Sequence, residues 1–445
     1  MKKLILSLFT LTLSLTALGQ QAGDNFVIKT SEAGKTTEWS LAGGSKNGDI
    51  STIKHKGNQL ILYAKGYEGI ELATYDIDKI ESITFNVFHK GSYVEESAAQ
   101  AVKNMGIGTN FGNCTDVVAM WMNMNSNSVT DFEKAWGQEP TTKPMVDFLK
   151  KNGFNSVRIP VTWFQHMKAD GTVDEAWMNR IQEIVDYVID NGMYCILNVH
   201  HDTGADPDDK SYTHWIKADV DNYNANKEKF ESLWTQIATR FQNYDQHLVF
   251  EGYNEMLDAS NTWNAPKNAN SYKGLNGYAQ SFVNAVRATG GNNATRNLIV
   301  NTYAAANGDE VLNNLTIPTD KVEGHIAVEV HTYAPWDWFA KGSWDASCTN
   351  EIKSMFTRLN NKFISKGIPC IIGEYGTHGS TSVSKKSTDA QKKAAADQAA
   401  DIVKQAKAYG VATFYWMSIF DGTDRTVPQW TLPTVVEAMQ KAYNE

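Results

Sequence analysis

The chain has 445 residues, 42% of them hydrophobic, and a formal net charge of −9. That length exceeds one average domain and suits a barrel of roughly 250–350 residues plus a small accessory unit, with apolar matter enough for a large core. The negative balance, with no arginine-rich run, excludes nucleic acid as a partner, because neutralising phosphates takes a basic surface.

In chain order, Met1 to Gly19 reads as a secretory leader: Lys2 and Lys3 open it, Leu4 to Leu15 form an apolar run, and Ala17-Leu18-Gly19 offers small residues at a cleavage spacing. The run is too short to span a bilayer and no other segment is apolar enough, so no membrane span is expected. A soluble product, secreted or periplasmic after cleavage near Gly19, is the expectation. Residues 20–90 are rich in Gly, Lys, Thr and Ser. Period-two runs at Gln59-Leu60-Ile61-Leu62-Tyr63 and Ile80 to Val87 predict a small β-rich region. Ser92 to Ala101 reads as the joint to the main domain.

From about residue 102 to 445 short apolar strands alternate with amphipathic helices. Strands are predicted over Gly106–Phe111, Ser156–Val161, Tyr194–His200, Leu248–Asn254, Leu298–Tyr303, Ile326–Tyr333, Pro369–Glu374 and Ala412–Ser418. Helices are predicted over Ala176–Asp190, with Ile181, Ile184, Val185 and Val188 on one face, and over Tyr278–Thr289 and Ala394–Tyr409. Such alternation implies a parallel sheet with crossover helices, and eight units in one domain fit an α/β fold of the (β/α)₈ TIM-barrel type better than an open sheet. No G-x-G-x-x-G follows the first strand, so a dinucleotide site has no support. The cysteines Cys114, Cys195, Cys348 and Cys370 show no C-x-x-C spacing, which argues against a zinc or redox site. Cys195 and Cys370 lie in apolar runs and are expected as buried thiols. Export leaves a Cys114–Cys348 bridge open.

In such a barrel the chemistry sits at the carboxyl ends of the strands. Those ends carry Arg158, His200 with His201, Asn254 with Glu255, His331 with Tyr333, Glu374 with Tyr375, and Trp416. Glu255 and Glu374 at two strand mouths point into one cleft, and glycoside hydrolysis needs two carboxyl groups flanking one bond. Each glutamate alone reads equally as a structural ion pair at the barrel rim; the set as a whole favours a site. Arg158 is suited to hold a carboxylate ionised, Asn254 to donate to a sugar hydroxyl, Tyr333 and His331 to orient the nucleophile, and Trp416 to floor the sugar at the cut. Thirteen Trp mostly fill core, but Trp263, Trp336, Trp338 and Trp215 stand in or near strand-end loops and are candidates to pack on sugar rings. Adjacent histidines on a strand face opposite ways, so His200 and His201 are not expected to share a metal ion.

The segments Val157-Arg158-Ile159-Pro160, Asn198-Val199-His200-His201-Asp202, Tyr253-Asn254-Glu255, Val330-His331-Thr332-Tyr333 and Ile372-Gly373-Glu374-Tyr375-Gly376 resemble glycoside hydrolase family 5. Gly106-Ile107-Gly108-Thr109-Asn110 and Arg287-Ala288-Thr289-Gly290-Gly291-Asn292-Asn293 resemble its endo-β-1,4-glucanase and xyloglucanase subgroup. The resemblance runs from about residue 102 to the end. It implies a (β/α)₈ barrel and a retaining double displacement with Glu255 as acid/base and Glu374 as nucleophile. Arg158, His200, Asn254, His331 and Tyr333 are implied as support, and His201, Trp263 and Trp416 as substrate contacts. It further implies a secreted endo-β-1,4-glucanase (cellulase) acting on β-glucan polymer or oligosaccharide, with no cofactor and no metal. Xyloglucan, mixed-linkage glucan, xylan and mannan are alternatives on the same scaffold, since the two glutamates do not discriminate among them. A non-catalytic carbohydrate-binding protein is the alternative of another class. Two places depart from the pattern: Met256 follows Glu255 where many members have Pro, and Tyr415-Trp416-Met417-Ser418 replaces a common Trp-Asp-Asn. These bear on substrate preference, which the sequence leaves open, as it does the oligomeric state.

Overall fold

A computed structural model describes residues 13–14, 25–31, 36–40, 50–64, 70–86, 93–205, 214–377, 384, 386–417, 420 and 424–445. The predicted leader lies outside these apart from Leu13–Ser14, and so does Ser418. The chain divides into two compact units, Met1–Ser92 with Ile237–Asp245, and Tyr93–Gln236 with Gln246–Glu445.

In the first unit the strands are short and antiparallel. β1 (Leu13–Ser14), β4 (Ile50–Lys56), β5 (Gln59–Ala64) and β6 (Glu71–Asp76) form one sheet, while β3 (Thr36–Ser40), β2 (Asn25–Thr30) and β7 (Ile80–Asn86) form another. The predicted runs at Gln59 and Ile80 are β5 and β7. Ile28, Trp39, Ile50, Leu60, Leu62 and Ile80 make a small core, and the Trp39 indole donates to the Tyr75 hydroxyl at 3.0 Å.

The second unit is the predicted barrel. β8 (Ile107–Asn110), β9 (Ser156–Ile159), β10 (Tyr194–Asn198), β11 (Leu248–Glu251), β12 (Leu298–Asn301), β13 (Ile326–Thr332), β14 (Cys370–Tyr375) and β15 (Ala412–Tyr415) pair in parallel and in sequence, and β15 closes on β8. Every residue of these strands is buried, because side chains fill the barrel on one face and helices cover the other. Near the strand starts, Tyr194, Ile196, Val249, Ile299, Ala327, Ile371, Ala412 and Phe414 pack with Ala101, Val102 and Met105 of the helix Ala98–Met105, which shuts that end. Each such aliphatic side chain contributes about 1.5–3 kcal/mol relative to exposure.

Helix starts follow caps more closely than apolar stripes. Asp174 accepts the Ala176 and Trp177 amides and opens Glu175–Ile189, close to the prediction. Asn268 and a Thr388–Gln391 capping box start Ala269–Ala288 and Asp389–Ala408 well before the predicted Tyr278 and Ala394. Most strand predictions ran too long at the carboxyl end; β9 stops at Ile159, β12 at Asn301 and β15 at Tyr415. β10 stops at Asn198 and β11 at Glu251, because the next amides bond across to other loops: His200 N–H to Val161 O at 2.7 Å and Asn254 N–H to Val199 O at 2.9 Å. The four cysteines are buried free thiols, so the Cys114–Cys348 bridge is not formed. Among the described residues no helix is long and apolar enough to cross a membrane.

Candidate active site

Glu374 stands within β14 and Glu255 on the loop after β11, which brings the two predicted carboxylates to one cleft, and the neighbouring strands supply their support. Arg158 on β9 is fully buried and reaches three acids. It grips Glu251 twice, Nε to Oε2 at 2.7 Å and Nη2 to Oε1 at 2.8 Å. Its Nη1 donates to Glu374 Oε1 at 2.8 Å and to Asn110 Oδ1 at 2.9 Å, and Nη2 donates to Asn254 Oδ1 at 2.8 Å. Glu329 Oε1 lies 3.3 Å from Nη2. Tyr333 donates to Glu374 Oε2 at 2.6 Å. His331 stands among three carboxylates. Its Nδ1 contacts Glu255 Oε1 at 2.8 Å and is 3.6 Å from Glu374 Oε2, so it serves the first glutamate more closely, while Nε2 faces Glu329 Oε1 at 3.2 Å.

Backbone irregularities aim these groups. The β13–β14 register slips between Val330 and His331, so that His331 stands opposite Glu374 and Gly373 is passed over. Such bulges re-aim side chains beside active sites. Gly373 is obligatory here, since a Cβ would sit 1.9 Å from Glu329 Oε1. Gly112 plays the same part for Trp416, whose ring would meet a Cβ at 2.9 Å. With that space, Trp416 stacks on His200, centroids 5.8 Å apart and planes 7° from parallel.

The electrostatics follow from burial. Burial opposes the charge on Arg158, but Glu251, Glu329 and Glu374 outweigh it and hold the guanidinium well above its usual pKa. Burial raises Glu251 to about 7 in spite of its two bonds to Arg158, because one guanidinium serves three buried carboxyls and Glu329 adds to the strain. Glu374 is also raised by burial; His331 and Arg158 pull it down and Glu255 pushes it up. Burial and the neighbouring Glu374 and Glu255 lift the Tyr333 hydroxyl well above its usual range, so it remains a donor. Burial and neighbouring cations hold the rings of His200 and His201 neutral, His201 at about 3.

Burial works against a charged His331, yet Glu374, Glu255 and Glu329 raise it to about 10. A pKa raised above the ordinary 6.5 makes the contribution of His331 to stability complete below that value, and lost as pH rises toward about 10. Denaturant melts across this window are therefore expected to show stability falling with pH in the parent protein and a flatter course in His331→Gln. Parallel curves for the two proteins would refute the assignment.

The cleft encloses ≈ 680 Å³ and is lined by His200, His201, Asn254, Glu255, Trp263, Ala304, Ala305, Ala306, His331, Tyr333, Trp336, Glu374 and Trp416 among others. Trp263 and Trp336 are 55% and 70% exposed and line the cleft. The other two tryptophan candidates fail. Trp338 is buried, and Trp215 is buried with its indole donating to Asp202 Oδ1 at 2.6 Å. The expectation that His200 and His201 face apart also fails, because both lie past the end of β10, where strand alternation no longer applies; their rings meet edge to face at 4.5 Å. Sequence reasoning missed Glu251, Glu329 and Asn110. The signal for the first two was a carboxylate inside an apolar run, Leu248-Val249-Phe250-Glu251 and Ile326-Ala327-Val328-Glu329-Val330.

Residues 114–422 match the family model described as cellulase (glycosyl hydrolase family 5). Endoglucanase 1 of Ruminococcus albus is 33% identical over 394 residues, 84% of this chain and 89% of that protein. Cellulase/esterase CelE of Acetivibrio thermocellus is 34% identical over 367 residues, 78% of this chain, but the match spans 40% of that longer protein. Among solved structures, PbGH5A of Prevotella bryantii, a glycoside hydrolase family 5 enzyme, is 58% identical with a TM-score of 0.76, covering 80% of this chain and 100% of that one. A mutant of PbGH5A has been solved in complex with a xyloglucan tetradecasaccharide.

Proposed function

Because the chain belongs to glycosyl hydrolase family 5, as an endo-β-1,4-glucanase, we propose that it cuts internal β-1,4-glucosidic bonds with Glu374 as nucleophile and Glu255 as acid/base. Glu374 attacks the anomeric carbon while Glu255 protonates the departing oxygen. A glycosyl ester forms on Glu374, and Glu255, now a base, draws a proton from the water that releases it, so the configuration is retained. The observation that carries this reading is spacing: one oxygen of each carboxylate and a ring nitrogen of His331 lie within 4.8 Å of one another. Two carboxyl groups facing one gap in a cleft are what it takes to flank a single glycosidic bond. Export belongs to the same proposal and rests on Lys2, Lys3 and the apolar run after them.

The substrate we propose is a β-1,4-glucan that carries side branches, of the xyloglucan kind. The wall of the cleft beyond Glu255 supports it. Ala304 donates its N–H to Met256 O at 3.1 Å, which ties the loop after β12 to the segment of Glu255. Ala304 and Ala305 hold φ of 54° and 48°, a conformation that costs of order 1–3 kcal/mol in a non-glycine residue. The result is a wall of three alanines in the lining of the cleft, where a larger side chain would occupy the room a branch needs. The resemblance to a protein crystallised with xyloglucan agrees.

The test compares carboxymethylcellulose, xyloglucan, mixed-linkage glucan, xylan and mannan in parallel. Mid-chain cleavage of the β-glucans, with the β-anomer appearing first by NMR, is expected. Ala306 has ordinary extended backbone, φ −73° and ψ 159°, so Ala306→Leu adds bulk without strain. It should lower kcat/KM on xyloglucan by roughly 10–100-fold, the scale of a steric misfit in a pocket, and leave carboxymethylcellulose nearly unchanged. Equal loss on both polymers would remove the branch argument. Silence on all five from folded protein would favour a carbohydrate-binding protein instead.

A further inference from the structure

The cleft holds a second cluster of ligating groups that the hydrolysis above does not use as a unit. Asp116, on the loop after β8, is 0% exposed. Its Oδ1 accepts the Cys114 N–H at 2.9 Å, but Oδ2 has no hydrogen-bond partner among the described residues. A buried carboxylate oxygen left unpaired is costly. Oδ2 faces His201 Nε2 at 3.8 Å, beyond hydrogen-bond reach. His200 completes the set: one ligating atom from each of the three lies within 4.8 Å of the others.

We propose that Asp116, His200 and His201 form a binding site for a divalent transition cation of the zinc class, and that its occupation closes the cleft to substrate. Two imidazoles and one carboxylate are a borderline donor set that suits zinc, whereas calcium takes six or more oxygens. Zinc bonds of about 2.0–2.2 Å place tetrahedral ligands roughly 3.3–3.5 Å apart, so Asp116 and His201 need shift by only tenths of an ångström. Three protein ligands leave a fourth position for water. The His201 side chain is 27% exposed and gives the ion a way in from the cleft. His200 stacks on Trp416 and has Nε2 4.0 Å from Glu374 Oε1, so an ion holding its ring competes with a sugar for the same floor. The inhibitory half of this inference rests on the glucanase reading; the binding half does not.

Zinc chloride titrated calorimetrically into the metal-free full chain should bind with one equivalent per chain. Cobalt(II) in its place should give the visible spectrum of a nitrogen and oxygen ligand set. Asp116→Asn keeps the Oδ1 bond to Cys114 and should weaken zinc binding roughly 10–100-fold, while its metal-free hydrolysis stays near that of the parent. His201→Gln, checked for folding by its melting temperature and read by calorimetry alone, should show the same weakening. Zinc should inhibit the parent enzyme reversibly, with recovery in chelator. Absence of a one-equivalent site in the parent overturns the proposal. So does undiminished affinity in Asp116→Asn, which would place the ion on Glu255, His331 and Glu374 instead. If the protein hydrolyses no glucan, the calorimetric arms still decide the binding.

Discussion

Glu374→Gln is expected to lower hydrolysis of soluble β-glucan by roughly three orders of magnitude or more, about 4 kcal/mol of transition-state stabilisation, without unfolding the protein. The amide has the shape of the carboxylate and can keep both neighbours: its oxygen accepts from Arg158, and its NH₂ meets the Tyr333 hydroxyl, which can accept as well as donate. What it cannot do is form the ester. Glu255→Gln should be as poor on polymer for a different reason, the lost proton, and a leaving group that departs without one separates the two. On a dinitrophenyl cellobioside, Glu255→Gln should release a burst of phenol and then stall as the glycosyl-enzyme, whereas Glu374→Gln should release none. A burst from Glu374→Gln would exchange the roles, and near-normal turnover on polymer by either folded variant would remove both residues from the chemistry.

Arg158→Met should cost about 3–5 kcal/mol of stability in urea denaturation, the usual consequence of removing one side of a buried ion pair. The side chain fits the space, but Glu251, Glu329 and Glu374 lose their shared cation. Burial and mutual repulsion would then raise Glu251 and Glu374 further. An acid raised in the folded state destabilises as pH climbs from its ordinary range to its folded pKa. For Glu251 in the parent protein that interval runs from 4.5 to about 7. The deficit of Arg158→Met should therefore be largest near neutral pH and shrink on acidification as the carboxyls take up protons. A loss below about 1 kcal/mol, or a deficit that grows in acid, would mean that Arg158 does not neutralise this cluster.

The barrel was legible because its strands are apolar runs at regular intervals with amphipathic helices between, and the two glutamates were legible because each directly follows such a run. Strand ends were less so. Val199 and His200 continue an apolar strand in composition, and only the bond from His200 to the Val161 carbonyl shows that the chain has left the ladder. Glu251 and Glu329 carried a signal, a charge inside an apolar segment, but their meaning depends on Arg158, which is remote from both in the chain. Asp116 carried none, since Gly112-Asn113-Cys114-Thr115-Asp116 reads as an ordinary polar loop. Among the tryptophans, composition gave candidates and burial chose between them: Trp215 and Trp338 went inside, while Trp263 and Trp336 stayed at the mouth.

The groups that hold charge in place, Arg158, Glu251 and Glu329, sit within β9, β11 and β13, whereas Trp263, Ala306 and Trp336 stand on loops beyond them. Loops accept substitution and changes of length more readily than closed, fully paired strands. A designer, or a lineage under selection, therefore has two nearly independent controls. Grafting from a relative the loop after β12 and the loop segments beyond Glu255 and Tyr333 would retune which polymer is gripped while the bond-breaking apparatus stays fixed, and mutating the strands would damage the apparatus without offering a new polymer in return.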